Sequence, residues 1–375
     1  MKLYLIAGEA SGDARGAELM RALVGLAGAR GGGGMEFYGA GGPQMRALAP
    51  AILDWSGEAV VGLWDVLKKY GYFRRQFDAM LAEIAERKPD AVVLIDYPGF
   101  NLRMAKALKR RQPFLRVIYY ISPQVWAWNR GRIPQMARTL DLMLCIFPFE
   151  KELYEKSGLK TVFVGHPMLD SLAARKTGAL REETLVGLFP GSRNKEVSRI
   201  FPVMLETARE MRKARPELRF EAAAASETLA VTMRAMAAGS EVEVRLGGSQ
   251  ELMNRAAVGM VASGTATLEA TFFELPFVLV YKVAPVTWFI GKRLVRVPFL
   301  GMANILAGRE IIREFLQDAA EPVALADELL SILNNPEKRA AQTAEFRQVI
   351  AGLGSGGASI RAAEAILAEP GPVRE

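Results

Sequence analysis

The chain has 375 residues, 50% of them hydrophobic and 24% charged, a globular composition long enough for two hydrophobic cores. The net charge of +7 suits a phosphate-rich partner, whether substrate phosphates, nucleic acid or an anionic membrane surface. One cysteine, Cys145, excludes a disulfide framework and a thiolate metal cluster, and one histidine, His166, excludes sites built from two imidazoles and argues against a Ser-His-Asp triad.

A reducing, cytoplasmic setting is therefore expected. No apolar run reaches the roughly 18 residues of a membrane span. Glu9 and Asp13 fall where the apolar part of a signal peptide would continue, so none is expected at the N-terminus.

The pattern predicts strands at 2–7, 35–38, 91–95, 116–121, 142–147 and 161–164, with amphipathic helices at 14–26, 73–87 and 103–111 among them. This is a βαβ rhythm with buried parallel strands. In such sheets ligands sit beyond the carboxyl ends of the strands, so the following loops are the places to inspect.

After the first strand comes G-E-A-S-G-D-A-R-G at 8–16. Glu9, Ser11 and Asp13 make it a candidate polar site. Gly8, Gly12 and Gly16, four apart, also describe a small helix face packed on a sheet. Neither this loop nor G-A-G-G-P-Q-M at 39–45 fits the dinucleotide fingerprint, and there is no Walker A motif.

The segment 60–77 mixes Val61, Leu63, Trp64, Val66, Leu67, Tyr70, Tyr72 and Phe73 with Lys68, Lys69, Arg74 and Arg75. Such a stretch can lie in a membrane interface, or pack in a core with its lysines reaching out.

Asp96 ends the strand at 91–95. A carboxylate at the tip of a buried strand loses solvation, which raises its pKa and prepares it as a base; an Asx turn or helix cap would also explain it. Between Tyr97 and Leu140 stand nine Lys and Arg and no acid, either a solvated helix face or a surface for phosphate or anionic lipid.

His166 follows in Gly165-His166-Pro167, where the pattern pauses, and a hinge or a catalytic role are both open. The βα rhythm then resumes with strands at 185–189, 220–224, 241–246, 258–262 and 277–281. Two Rossmann-like domains meeting at a cleft near residue 170 are predicted, 1–170 and 171–335, with a helical tail from 336 to 375 that could pack on either, including back on the first.

Two loops of the second domain suit a nucleotide. Pro190-Gly191-Ser192-Arg193 offers a glycine turn and an arginine fork for a diphosphate. Ser263, Gly264 and Thr265 open a helix whose free N–H groups favour phosphate, and Glu269 one turn on can accept hydrogen bonds from ribose. Each loop alone is also an ordinary turn or cap; together at one sheet edge they favour the nucleotide.

In combination, these loops resemble the lipid-A-disaccharide synthases. The matching strings are A-G-E-A-S-G-D at 7–13, G-A-G-G-P-Q-M at 39–45, I-D-Y-P-G-F-N-L-R at 95–103 and S-P-Q-V-W-A-W at 122–128. They continue with P-F-E at 148–150, G-H-P at 165–167, F-P-G-S-R at 189–193, A-S-G-T-A-T-L-E at 262–269 and N-I-L-A-G-R-E at 304–310. Their order covers nearly the whole chain.

The resemblance implies an α/β protein of the GT-B class, two Rossmann-like domains facing each other across a cleft. It implies an inverting glycosyltransferase with no metal and no cofactor. The implied reaction joins UDP-2,3-diacylglucosamine to 2,3-diacylglucosamine 1-phosphate, giving a β(1→6) disaccharide 1-phosphate and UDP in lipid A biosynthesis. Asp96 falls on the family's essential aspartate. Gly191, Ser192, Arg193, Ser263, Gly264, Thr265 and Glu269 fall on its UDP-binding positions, with Asn304 and Arg309 in its late motif. Glu9, Ser11, Gly12, Asp13 and Asn101 are placed on the acceptor side.

Because both implied substrates are lipids, Val61, Leu63, Trp64, Val66, Leu67, Lys68 and Lys69 are expected to touch the anionic inner membrane, with no nucleic acid as partner and a homodimer left open. One departure is Gly301-Met302-Ala303-Asn304, where the family commonly reads S-L-P-N. Two other readings are another GT-B enzyme, such as a UDP-N-acetylglucosamine transferase or epimerase, and a non-enzymatic nucleic-acid or membrane binder. The latter explains the charge but not the paired nucleotide loops.

Overall fold

The computed structural model describes residues 1–31, 34–55, 63–178, 180–295 and 297–368, and only the backbone of residues 63–70, 290 and 294. The chain forms two compact units. One is Met1–Pro167 with the chain from Leu353 onward, and the other is Met168–Gly352.

The first unit carries seven parallel strands: β1 (Lys2–Ala7), β2 (Glu36–Gly41), β3 (Ile52–Asp54), β4 (Ala91–Ile95), β5 (Arg116–Tyr120), β6 (Leu142–Cys145) and β7 (Thr161–Phe163). Their order is β3-β2-β1-β4-β5-β6-β7. β4 reads Ala-Val-Val-Leu-Ile and is buried along its whole length, the signature of a strand covered on both faces. Chain order switches direction between β1 and β4. Ala7 lies opposite Ile95, so the loops beginning at Gly8 and Asp96 leave the sheet side by side.

The second unit has β8 (Glu182–Phe189), β9 (Arg219–Ala224), β10 (Val242–Leu246), β11 (Ala256–Ala262), β12 (Phe277–Tyr281) and β13 (Glu314–Leu316), all parallel, in the order β10-β9-β8-β11-β12-β13. Here the switch falls between β8 and β11, with Phe189 opposite Val261. The loops beginning at Pro190 and Ser263 are thereby neighbours.

Each unit has its own core, one around Tyr4, Ile6, Val92, Met104 and Tyr119, the other around Val186, Phe201, Met204, Phe220 and Leu329. The predicted single tail is two helices. Pro336–Gly352 belongs to the second unit. Ala358–Ala368 belongs to the first, where it packs on the helix Ala10–Ala29. Gly354, Gly356 and Gly357, all at positive φ, end the helical run between them. The two chain crossings are tied: the His166 N–H donates to the carbonyl of Leu353 at 3.0 Å, and Arg361 Nε donates to that of Val164 at 2.8 Å.

Candidate active site

The switch point of the first sheet brings Glu9 and Asp96 together. Asp96 and Tyr97 both take the left-handed conformation, at φ 47° and 49°. For residues with a Cβ this costs roughly 1–2 kcal/mol each. The local structure holds the kink through the backbone of Asp96. Its N–H donates to the Tyr120 carbonyl at 2.9 Å. Its carbonyl accepts from the Tyr119 hydroxyl at 2.6 Å and from Asn101 Nδ2 at 2.8 Å. The turn also needs Gly8, because a Cβ there would run into the Tyr97 ring.

The Asp96 carboxyl is raised above the ordinary aspartate range. Burial is the main cause and the charge of Glu9 adds to it, against a hydrogen bond from the Tyr97 N–H. A proton acceptor at the carboxyl edge is the chemical content of this loop.

The other residues expected on the acceptor side divide. Glu9 and Ser11 are exposed, whereas Gly12, Asp13 and Asn101 are buried. Asp13 accepts the N–H groups of Gly42, Gln44 and Met45, each at 2.9 Å, and so caps the short helix Pro43–Leu48. Asn101 Nδ2 also reaches the carbonyls of Ile95 (3.2 Å) and Ile6 (3.4 Å). Both side chains are engaged with main chain, and the structure places them as supports beneath the loop. Gly16 approaches the Met45 side chain and Gly8 the Tyr97 ring. A Cβ on Gly12 would make only ordinary contact with Ala7, so the four-residue glycine spacing reflects close approach at its two ends.

His166 packs beside Phe147, and burial, helped by the charge of Arg15, lowers its pKa to about 4. The imidazole is therefore neutral near pH 7. Val61 lies outside the described residues, as do the side chains of Leu63, Trp64, Val66, Leu67, Lys68 and Lys69, although the helix Leu63–Arg87 carries six of these positions.

In the second unit, Gly191 turns the chain at φ 108° beneath Glu196, whose Oε2 would lie 2.8 Å from a Cβ at that position. Arg193 begins the helix Asn194–Ala214 and pairs with Glu196 at 3.0 Å while 69% of its side chain stays exposed. Ser192, Gly264 and Thr265 are exposed and Ser263 partly so. Gly264, at φ 149°, precedes the helix Thr265–Phe272, and its carbonyl accepts from Thr267 Oγ1 at 2.7 Å. The Glu269 carboxyl is raised, chiefly by burial.

The late motif is split. Asn304 is fully buried, donating to the Ile312 carbonyl (2.8 Å) and Glu314 (2.9 Å) and accepting from the N–H groups of Ile311 and Ile312. It fixes the loop that precedes β13. Arg309 is exposed and pairs with Glu345. The Gly301-Met302-Ala303 departure is accommodated by Glu314, which accepts the N–H groups of Leu300 and Gly301 at 2.9 Å each.

Two arrangements escaped the sequence reading. Trp126 Nε1 donates to the buried Glu150 at 2.9 Å, and the Phe147 N–H donates to its other oxygen, which joins the strings at 122–128 and 148–150. Arg175 donates to Gln250 at 2.6 Å, and Gln250 to Glu269 at 3.4 Å. The Trp126–Glu150 and Arg175–Gln250 pairings span 24 and 75 residues and have no local periodicity to reveal them. Among the described residues no group of three His, Cys, Asp or Glu side chains could hold a metal ion, and no helix is long and apolar enough to cross a membrane.

Solved structures with similar folds include the UDP-GlcNAc 2-epimerase of Neisseria meningitidis bound to UDP-GlcNAc, at 12% identity and TM-score 0.65, covering 98% of this chain and all of that one. MurG of Acinetobacter baumannii matches at 13% identity and TM-score 0.56, over 98% and 97%. These likenesses show the GT-B fold. The family model for lipid-A-disaccharide synthetase matches residues 3–367. The lipid-A-disaccharide synthases of Geobacter metallireducens and Trichlorobacter lovleyi are each 38% identical over 98% of this chain, spanning 96% and 97% of their own lengths. With these matches from end to end, the chain belongs to the lipid-A-disaccharide synthase family of glycosyltransferases.

Proposed function

We propose that this enzyme transfers 2,3-diacylglucosamine from its UDP derivative to 2,3-diacylglucosamine 1-phosphate in one inverting displacement, with Asp96 as base. The raised Asp96 carboxyl, kinked out of the sheet at its switch point, is the observation that carries the reading. In its ionised form Asp96 takes the proton of the acceptor 6-hydroxyl. That oxygen bonds to the anomeric carbon as the bond to UDP breaks, and UDP departs with the electron pair.

The leaving diphosphate gains charge in this step. Arg193 and the N–H groups at the starts of the helices Asn194–Ala214 and Thr265–Phe272 are suited to neutralise it without a metal. Glu269, steadied by Gln250, is suited to the ribose hydroxyls.

Both substrates carry acyl chains, so the enzyme is read as working at the anionic cytoplasmic face of the inner membrane, with the apolar residues of segment 60–77 as one contact. Changing Trp64 and Leu67 to Ser should release the folded protein from anionic vesicles. Unchanged sedimentation of a folded variant would remove that contact.

The reaction is tested by incubating the purified enzyme with UDP-2,3-diacylglucosamine, with and without the acceptor. UDP release that requires the acceptor, with a tetraacyl disaccharide 1-phosphate as product, supports the assignment. Release or epimerisation without acceptor would overturn it.

A further inference from the structure

The helix Pro285–Leu294 follows β12, so it starts at the carboxyl edge that also bears the loops at 190–193 and 263–265. Its outer side is apolar: Val286 is 70% and Phe289 60% exposed. Arg293 lies over the Phe289 ring, 3.5 Å from its centre. Positions 286, 289 and 293 recur at i, i+3 and i+7, one face of a helix. Lys292 is exposed beside them, and Lys282 stands just before the helix. Trp288, half-buried with its ring 6.4 Å from that of Tyr281, fixes the opposite side to the end of β12.

From Leu275 to Arg309 the sequence contains no acidic residue, yet it carries five Lys and Arg, among them Lys282, Lys292 and Arg293. Exposed apolar side chains whose charged neighbours in sequence are all cations suit a layer with hydrocarbon below and phosphate above.

We propose that this helix is a second lipid-contact surface, carried by the UDP-sugar unit. Val286 and Phe289 enter the acyl boundary of an anionic bilayer, and Lys282, Lys292 and Arg293 lie among its phosphates. The proposal rests on the membrane reading above. It gives that reading a physical purpose in the second unit: the nucleotide of a lipid-borne donor is held at an edge that stays close to the bilayer in which the acyl chains reside.

The test uses the full-length enzyme and vesicles of phosphatidylethanolamine with phosphatidylglycerol, compared with phosphatidylcholine alone. Lys292→Gln/Arg293→Gln should weaken partitioning to the anionic vesicles by about tenfold or more, the order expected for two basic residues near such a surface. Val286→Ser/Phe289→Ser should weaken partitioning to both kinds of vesicle. Neither variant should alter the thermal melt or turnover on detergent-dispersed substrates.

Wild-type sedimentation by both folded variants would overturn this surface while leaving the membrane reading standing. Failure of the wild type to bind anionic vesicles would remove both. A raised donor KM in detergent with unchanged vesicle binding would show the face to be a substrate acyl site, which also overturns the proposal.

Discussion

The hydroxyl of Tyr119 donates a 2.6 Å hydrogen bond to the main-chain carbonyl of Asp96, so the proposed base is gripped by its backbone. The carboxylate, by contrast, is raised by burial, against the pull of the Tyr97 N–H. Positioning and reactivity are thus assigned to different atoms of one residue. Tyr119→Phe should keep the carboxylate but loosen the kink, costing about 1 kcal/mol of stability. Turnover should fall with little change in UDP affinity. A variant that melts lower but turns over normally would show that Tyr119 serves stability alone.

Asp96→Asn removes the proposed proton acceptor without changing shape. Turnover should drop by about a hundredfold or more, the range for an acid–base residue. On the proposed mechanism the active form is the ionised one, and its pKa is raised, so the acid limb of the wild-type rate profile should lie above the ordinary aspartate range. Glu9→Gln removes a negative neighbour and should move that limb to lower pH. An unmoved limb would remove Glu9 from the electrostatics of the site.

Arg193→Ala should weaken UDP binding, measured by calorimetry, by about 1.5–3 kcal/mol, the range for a hydrogen bond to a charged group. Activity should survive a chelator if, as proposed, the protein itself supplies the neutralising charge. Loss of activity on chelation, restored by magnesium, would contradict that picture.

Much of this architecture was legible in the sequence, because a buried parallel strand is a short apolar run with a turn residue after it. β1, β4 and β12 have the predicted bounds, and the four loops at the two switch points are the ones singled out. β3 and β13 were missed. They are three-residue edge strands, too short to display a period. The site was legible at the level of loops and less so at the level of roles. Asp13, Asn101 and Asn304 stand inside the motif strings and read as ligand-facing polar residues, yet Asp13 and Asn101 bond to main chain, and Asn304 bonds to main chain and to Glu314. Whether a polar side chain points out of a loop or back under it depends on the neighbouring strand's loop, and one sequence does not display that adjacency.

Asp13 shows the consequence. Asp13→Ala would strand three N–H groups at the start of the helix Pro43–Leu48, two of them in buried bonds. A loss of roughly 2 kcal/mol or more is expected, above a simple exposed cap. Denaturant unfolding should show it, and the fraction that stays folded should retain UDP affinity. A variant of wild-type stability would leave Asp13 available for a substrate role.

Glu150 and His166 give the first unit two opposed responses to acid. Burial raises the Glu150 pKa to about 7, outweighing the hydrogen bonds it accepts, and lowers that of His166 to about 4. Between pH 7 and 5 the folded chain binds a proton at Glu150 that the unfolded chain holds less tightly, so acid stabilises through this residue. Below about pH 6.5 the unfolded chain protonates His166 and the folded chain does not, so acid destabilises through that one. Asp96, also raised, adds to the Glu150 direction. Each single variant should therefore uncover the response left behind. Glu150→Gln should lose stability as pH falls from 7 to 5, and His166→Gln should gain it, each relative to wild type at the same pH. Comparison with wild type cancels every other titrating group. The melts that settle this are differential scans of the three proteins at half-unit pH steps, and parallel curves for all three would show that folding shifts neither residue's pKa in this range.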